Sequence, residues 1–198
     1  MSFPKRSYAE LDCDFVESLI STISALGADW RYDEDVTQLE HAVQAAMLAR
    51  DAGEPSEVIA AALLHDVGHF LMYQESRHDQ PDGDDLKHES VGANWLAKYF
   101  VDAVSEPVRF HVPAKRYLCA TRPGYWDDLS EGSRISLRKQ GGPMSRKEQE
   151  SFESQPAHLV AIRLREYDDQ AKVVGMKIDP IDSFTQELLD SLKPRANA

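Results

Sequence analysis

Ala60-Ala61-Ala62-Leu63-Leu64-His65-Asp66-Val67-Gly68-His69 is an apolar run that stops on two adjacent side chains able to bind metal. Burying an imidazole next to a carboxylate is costly unless something compensates them, and a cation held by nitrogen and oxygen is the strongest compensation available. Outward from this pair, histidines recur at near-even intervals. His41 lies 24 residues before His65, His88 lies 23 after it, His111 lies 23 after that, and Asp168 follows downstream. These are too many donors for one ordinary site, but they suit two ions bridged by Asp66. Any one of these histidines alone reads better as a hydrogen-bonded core or surface residue. Their joint spacing is what points to metal. His78, in the polar run from Ser76 to Asp85, and His158 have no such partners.

The 198 residues fit one domain, 1–198, with a full hydrophobic core. No apolar stretch approaches the roughly 18–20 residues needed to cross a bilayer, and Met1-Ser2-Phe3-Pro4-Lys5-Arg6 leads into no signal-peptide core. The chain is therefore expected to have no membrane partner. Cys13 and Cys119 show neither CxxC spacing nor a disulfide framework, so reduced thiols in a cytoplasmic enzyme are expected. A net charge of −12 argues against general nucleic-acid binding. That charge is uneven. Between Arg109 and Lys147 nine Lys/Arg face three acids, whereas between Asp29 and Glu40 five acids face Arg31 alone. Solvated faces account for many of these charges, yet a ligand with one anionic and one cationic end could use both regions.

Helical periodicity runs through almost the whole chain, and the expected fold is a single all-α bundle. Val43, Ala46, Met47 and Arg50 place His41 on an amphipathic helix, and Pro55-Ser56-Glu57 opens the next, whose buried body is Val58 to Leu64. Gly68 is read as a break after the His-Asp pair. His88 opens a helix, and Pro107 is expected to start the one carrying His111, with Pro113 disturbing it and Lys115 four residues on. Arg122-Pro123-Gly124 and Gly141-Gly142-Pro143 mark a loop-rich stretch, and Ser145-Arg146-Lys147-Glu148 is a capping box. Leu159, Ile162, Arg165 and Asp168 step by three, so Arg165 and Asp168 lie near one face. Pro180 to Leu192 reads as a packing helix.

The order His41…His65-Asp66…His88…His111…Asp168 resembles that of HD-domain oxygenases, a group that includes myo-inositol oxygenase and the phosphonate-cleaving mixed-valent diiron enzymes of the PhnZ/TmpB type. The second of these is the nearer likeness. Gln38-Leu39-Glu40-His41, His65-Asp66-Val67-Gly68-His69, His88-Glu89-Ser90-Val91-Gly92-Ala93, His111-Val112-Pro113-Ala114-Lys115-Arg116-Tyr117-Leu118 and Gln140-Gly141-Gly142-Pro143-Met144 have counterparts there at similar spacing, over about residues 30–169. The resemblance implies an HD-domain helical bundle and two iron ions, Fe(II) and Fe(III). One would be held by His41, His65, Asp66 and Asp168, the other by His88 and His111, with Asp66 shared. Residue types alone leave Mn or Zn open. The implied phosphonate pocket is His69, Lys115, Ser133 and Arg165, with Asp66, His69 and Lys115 nearest the chemistry. Lys115 brings charge, Arg165 can clamp an oxyanion, and His69 and Ser133 can donate hydrogen bonds.

At the opposite end the family carries a tyrosine that can cover an iron and a glutamate near the substrate amine. Glu34 stands seven residues before His41, as in the family, while Tyr32 stands one position nearer to His41 than the family tyrosine. Asp33, Glu34 and Asp35 beside Trp30 and Tyr32 suit a quaternary ammonium group. The implied activity is oxidative cleavage of a carbon–phosphorus bond by O2. Its expected substrate is (R)-1-hydroxy-2-(trimethylammonio)ethylphosphonate or the 2-amino analogue, giving phosphate with glycine betaine or glycine, in a monomeric enzyme. A metal-dependent HD-domain phosphohydrolase acting on a nucleotide or other phosphate ester is the alternative. A non-catalytic sensor on the same scaffold ranks below both, because every ligand position is filled.

Overall fold

In a computed structural model of the chain, the residues described are 3–7, 11–31, 35–75 and 87–195. Among them helices carry the whole architecture. The sole extended pairings are isolated bridges, Arg31 with Thr37 and Phe100 with Leu192. The expected all-α bundle is what forms.

Helix α1 (Asp12–Gly27) packs on α2 (Gln38–Asp51) at one side of the bundle. Helix α2 begins in a capping box: Thr37 Oγ1 accepts from the Glu40 backbone N–H at 3.1 Å, and the Glu40 carboxylate accepts from the Thr37 N–H at 2.7 Å. The inward face behind that cap is His41, Ala42, Val43, Ala45, Ala46 and Ala49. Helix α3 (Ser56–Leu64) is buried at every position from Val58 to Leu64 and forms the middle of the core, as an all-round apolar helix must. His65 and Asp66 occupy the two-residue break before α4 (Val67–Glu75). The apolar run thus delivers both side chains to the interior.

Gly68 is not that break. It lies inside α4, where it meets α5 (His88–Leu96), and a Cβ there would stand 1.9 Å from the His88 carbonyl oxygen. Gly92 faces it from α5: a Cβ on Gly92 would come within 3.1 Å of the Gly68 nitrogen. Two glycines let the helix backbones touch, and that close approach brings the His69 and His88 rings into a stack with centroids 3.9 Å apart.

Helix α6 (Asp102–Thr121) starts five residues before Pro107 and runs on through both Pro107 and Pro113. The expectation that Pro107 starts the helix fails because α6 is the spine of the bundle, packed against α3, α5 and α10 (His158–Gln170). Burying Val104, Val108, Val112, Ala114 and Leu118 outweighs the main-chain bonds that proline cannot donate. The stretch read as loop contains two further helices, α7 (Tyr125–Asp128) and α8 (Glu131–Lys139), before α9 (Arg146–Glu153). Ser130 caps α8 by accepting from the Ser133 N–H at 3.3 Å, and Ser145 and Glu148 form the expected capping box of α9. The Pro180–Leu192 segment is a 3-10 turn, Ile181–Phe184, followed by α11 (Thr185–Asp190).

Gly68→Ala should cost about 2 kcal/mol or more through backbone overlap, lowering Tm by roughly 5 °C. Thermal unfolding followed by circular dichroism checks this. An unchanged Tm would mean the α4–α5 contact is looser than described.

Candidate metal centre

Asp66 Oδ2 lies 3.7 Å from His41 Nε2 and 3.6 Å from His65 Nε2, while its Oδ1 lies 3.5 Å from His88 Nε2 and 3.8 Å from His111 Nε2. Each oxygen of one carboxylate therefore serves a different pair of imidazoles. Within the pairs, the His41 and His65 Nε2 atoms are 3.1 Å apart, and those of His88 and His111 are 3.2 Å apart. Asp168 Oδ1 joins the first pair, 3.4 Å from His41 Nε2 and 3.9 Å from His65 Nε2. Donors bonded at about 2.1 Å to a common ion have separations of this order. The six residues read from the sequence as ligands all meet here. Two His/Asp clusters that share Asp66, one with His41 and His65 and the other with His69 and His88, are consistent with a binuclear metal site.

The rings are aimed by the main chain. His65 Nδ1 bonds the Ala62 carbonyl at 2.8 Å, His111 Nδ1 the Val108 carbonyl at 2.7 Å, and His41 Nδ1 the Ala171 carbonyl at 2.8 Å. A donating Nδ1–H leaves the Nε2 lone pair pointing inward, the tautomer a metal needs. Burial, aided by the neighbouring imidazoles, holds His111 well below the ordinary histidine range, and burial also lowers His65. Burial works against the charge on His41 too, but Asp168 and Asp66 outweigh it and raise that group. Burial alone would push the Asp66 carboxyl up; the surrounding imidazoles, His65 foremost, hold it far below the usual carboxylate range.

A cavity of about 80 Å³ opens beside these ligands and is lined by His69, Lys115, Ser133 and Arg165, the four positions expected to hold a phosphonate. Lys115 is only 3% exposed and donates to Ser136 Oγ at 2.7 Å. Arg165 is more constrained than an open clamp. Nη1 donates to Asp168 Oδ2 at 2.6 Å, and Nη2 donates to Ser133 Oγ at 3.2 Å and to the Asp169 carboxylate, which also accepts from the Tyr125 hydroxyl. Burial opposes its charge, but Asp168 and Asp169 raise its affinity for the proton well above normal. Arg165 thus fixes Asp168 as well as lining the cavity. His69 stands 3.9 Å from Asp66 Oδ1 and presents its ring to the edge of Trp30, with centroids 6.5 Å apart.

Tyr32, Glu34 and the adjacent Asp33 lie outside the described residues. Asp35 is exposed, and its carbonyl accepts from Arg31 at 2.6 Å. His78 also falls outside the described residues. Ser136, Gln140 and Lys172 also line the cavity, though the sequence reading gave them no site role; Lys172 donates to Ser133 Oγ at 3.1 Å. Helical spacing could have found two of them: Ser136 and Gln140 follow Ser133 by three and seven residues, whereas Lys172 lies beyond the end of α10.

Metal-loaded protein should retain two ions per chain after dialysis. His88→Ala should retain about one, and Asp66→Ala should weaken both positions, as read by elemental analysis. Two tightly held ions in Asp66→Ala would rule out the bridge. Arg165→Leu should leave Asp168 and Asp169 without their buried partner, at about 3–5 kcal/mol, and lower Tm by roughly 6 °C or more. A wild-type melting curve would show that Arg165 has no structural part.

A family model described as "HD domain" matches residues 38–140. The hydroxymethylphosphonate dioxygenase of Gimesia maris is 47% identical over 162 residues, covering 82% of this chain and 81% of that protein. The [1-hydroxy-2-(trimethylamino)ethyl]phosphonate dioxygenase (glycine-betaine-forming) of Leisingera caerulea is 40% identical over 164 residues, covering 83% of each. An uncharacterised protein of Acanthamoeba polyphaga mimivirus is 35% identical over 92% of this chain and 84% of its own length. The chain belongs to the HD-domain family and stands close to its phosphonate-cleaving dioxygenases.

Proposed function

We propose that this chain is an iron-dependent oxygenase that cleaves the carbon–phosphorus bond of a small 1-hydroxyphosphonate with O2 and releases phosphate. The observation that carries the reading is the division of Asp66 between two imidazole pairs, directly beside a cavity lined by buried cations. His41, His65, Asp168 and Asp66 would hold one iron, and His88, His111 and Asp66 the other. When bound, the two irons supply the redox chemistry with O2, which no side chain here can perform.

The protein's own part is positioning and charge. Lys115 and Ser133 face the phosphonate end, where charge-assisted hydrogen bonds fix an oxyanion and hold its carbon against the metal ligands. Arg165 orients Asp168 and adds positive potential. His69, held between Trp30 and His88, can donate a hydrogen bond to the same head group.

For hydroxymethylphosphonate the balance is one substrate and one O2 to one formate and one phosphate. For the trimethylammonium substrate the carbon product is glycine betaine. The 47% identity to the hydroxymethylphosphonate dioxygenase, against 40% to the trimethylammonium enzyme, supports the smaller molecule. The acidic and aromatic residues that favour the larger substrate centre on Tyr32, Asp33 and Glu34, outside the described residues. Free thiols at Cys13 and Cys119 support a cytoplasmic setting. Among the described residues no helix is long and apolar enough to cross a membrane.

Protein loaded anaerobically with iron and then given O2 should release phosphate from hydroxymethylphosphonate in step with O2 consumed. The ratio of kcat/KM for this substrate to that for its trimethylammonium relative measures the discrimination. Lys115→Ala should lower kcat/KM about a hundredfold by removing a charge-assisted bond and leaving the head group's charge unmatched. Phosphate released from a phosphate ester without O2, with neither phosphonate oxidised, would make the protein a hydrolase instead.

A further inference from the structure

Tyr125 and Asp169 are not among the six candidate ligands and do not line the cavity, yet hydrogen bonds tie them to the ligand Asp168. Arg165, Asp168 and Asp169 lie on one helix, α10, at spacings of three and four residues, so one guanidinium reaches both carboxylates. Its Nη1 donates to Asp168 Oδ2 at 2.6 Å, and its Nη2 donates to Asp169 Oδ1. The second oxygen of Asp168 faces His41 and His65, at 3.4 and 3.9 Å from their Nε2 atoms. The second oxygen of Asp169 accepts from the Tyr125 hydroxyl. Each carboxylate thus gives one oxygen to Arg165 and the other to a different element.

Two adjacent carboxylates compete for one cation. Within α10 nothing decides the outcome, because a planar fork can close on either carboxylate with two parallel N–H groups. Tyr125 decides it. By occupying Asp169 Oδ2 it leaves that carboxylate a single oxygen for Arg165, and Nη1 stays with Asp168. Tyr125 is itself well held, 6% exposed and packed with Leu118, Leu129 and Leu137. Gly124, with φ 81°, opens the short helix α7 at Tyr125, and Arg122 fastens the same turn to α10 by donating to Glu166.

We propose that Tyr125 and Asp169 are positioning residues that set Arg165 so that Asp168 offers a single oxygen to the ion held by His41 and His65, and that they act on this ion and not on its neighbour. The proposal rests on the two-iron reading above. Asp66 serves both imidazole pairs, whereas Asp168 joins the first, so a misplaced Asp168 is felt at one position. Groups that orient a metal ligand from behind contribute about 10–100-fold to metal affinity. Tyr125 stands further back than Arg165, and its share lies at the lower end of that range.

The test is anaerobic competition for Fe(II) alone between a chelator and either wild type or Tyr125→Phe, which keeps the packed ring and loses only the hydroxyl. Anomalous diffraction from crystals equilibrated with the chelator reads the two positions separately. One of the two ions should be held about tenfold more weakly in Tyr125→Phe, and the occupancy lost should be that beside His41, His65 and Asp168. In Asp169→Ala protein the same substitution should change nothing further, because the hydroxyl acts through that carboxylate. A further tenfold loss there would overturn the proposed route. Wild-type affinity at both positions in Tyr125→Phe would overturn the proposal and leave the two-iron reading standing. Equal weakening at both positions, or loss confined to the ion beside His88 and His111, would overturn it too, since Tyr125 would then support the fold and not Asp168. Should Tyr125→Phe not fold, Tyr125→Met carries the same expectation. No Fe(II) binding by wild type would overturn the two-iron reading and this proposal together.

Discussion

The Asp66 carboxylate, split between two pairs of imidazoles, is the constraint around which the bundle is arranged. Its two oxygens cannot move independently, so the helices bearing the four histidines must converge on one point. The wholly apolar α3 sinks the His65–Asp66 break into the interior, and the Gly68–Gly92 contact draws α5 in close enough to bring His88. Helix α6 continues through two prolines and sets His111 opposite. Each of these packing features makes little sense as core filling alone.

His41, His65 and His111 are oriented by backbone carbonyls, whereas His88 Nδ1 lies 3.9 Å from the Glu89 carboxylate. Those carbonyls belong to α3, to α6 and to the residue that follows α10, so the three rings inherit the rigidity of helices and their ends. Arg165 does for Asp168 what the carbonyls do for these histidines. By also taking Asp169 and Ser133, it joins the metal ligands to the wall of the cavity. The candidate metal ligands and the cavity wall are mechanically one object, and Arg165 belongs to both.

The convergence of these His and Asp side chains was legible in the sequence from a composite signal: donors at regular intervals, one pair ending an apolar run, and a face shared by Arg165 and Asp168. What stayed hidden depends on the partner element rather than on the local residues. A glycine in Val67-Gly68-His69 looks like a break until α5 is seen to press against it. Pro107 looks like a helix start until the burial on both sides of α6 is known. Helix α8 is too polar to announce a core face, so Ser136 and Gln140 passed as loop. The acidic cluster at Asp33–Asp35 was conspicuous, but spacing alone could not say where its carboxylates turn.

Using neutral carbonyls to steer three of the four histidines also fixes the electrostatics of the centre. Two metal ions of at least divalent charge bring four or more positive charges, and the described donors return only two negative ones, from Asp66 and Asp168. Had carboxylates stood behind His41, His65 and His111 as Glu89 stands near His88, the same geometry would sit near neutrality. As built, the loaded centre carries a surplus of about two or more positive charges, with Lys115 and Lys172 close by. A small doubly ionised anion entering the cavity would cancel that surplus, so the loaded centre is one half of an ion pair.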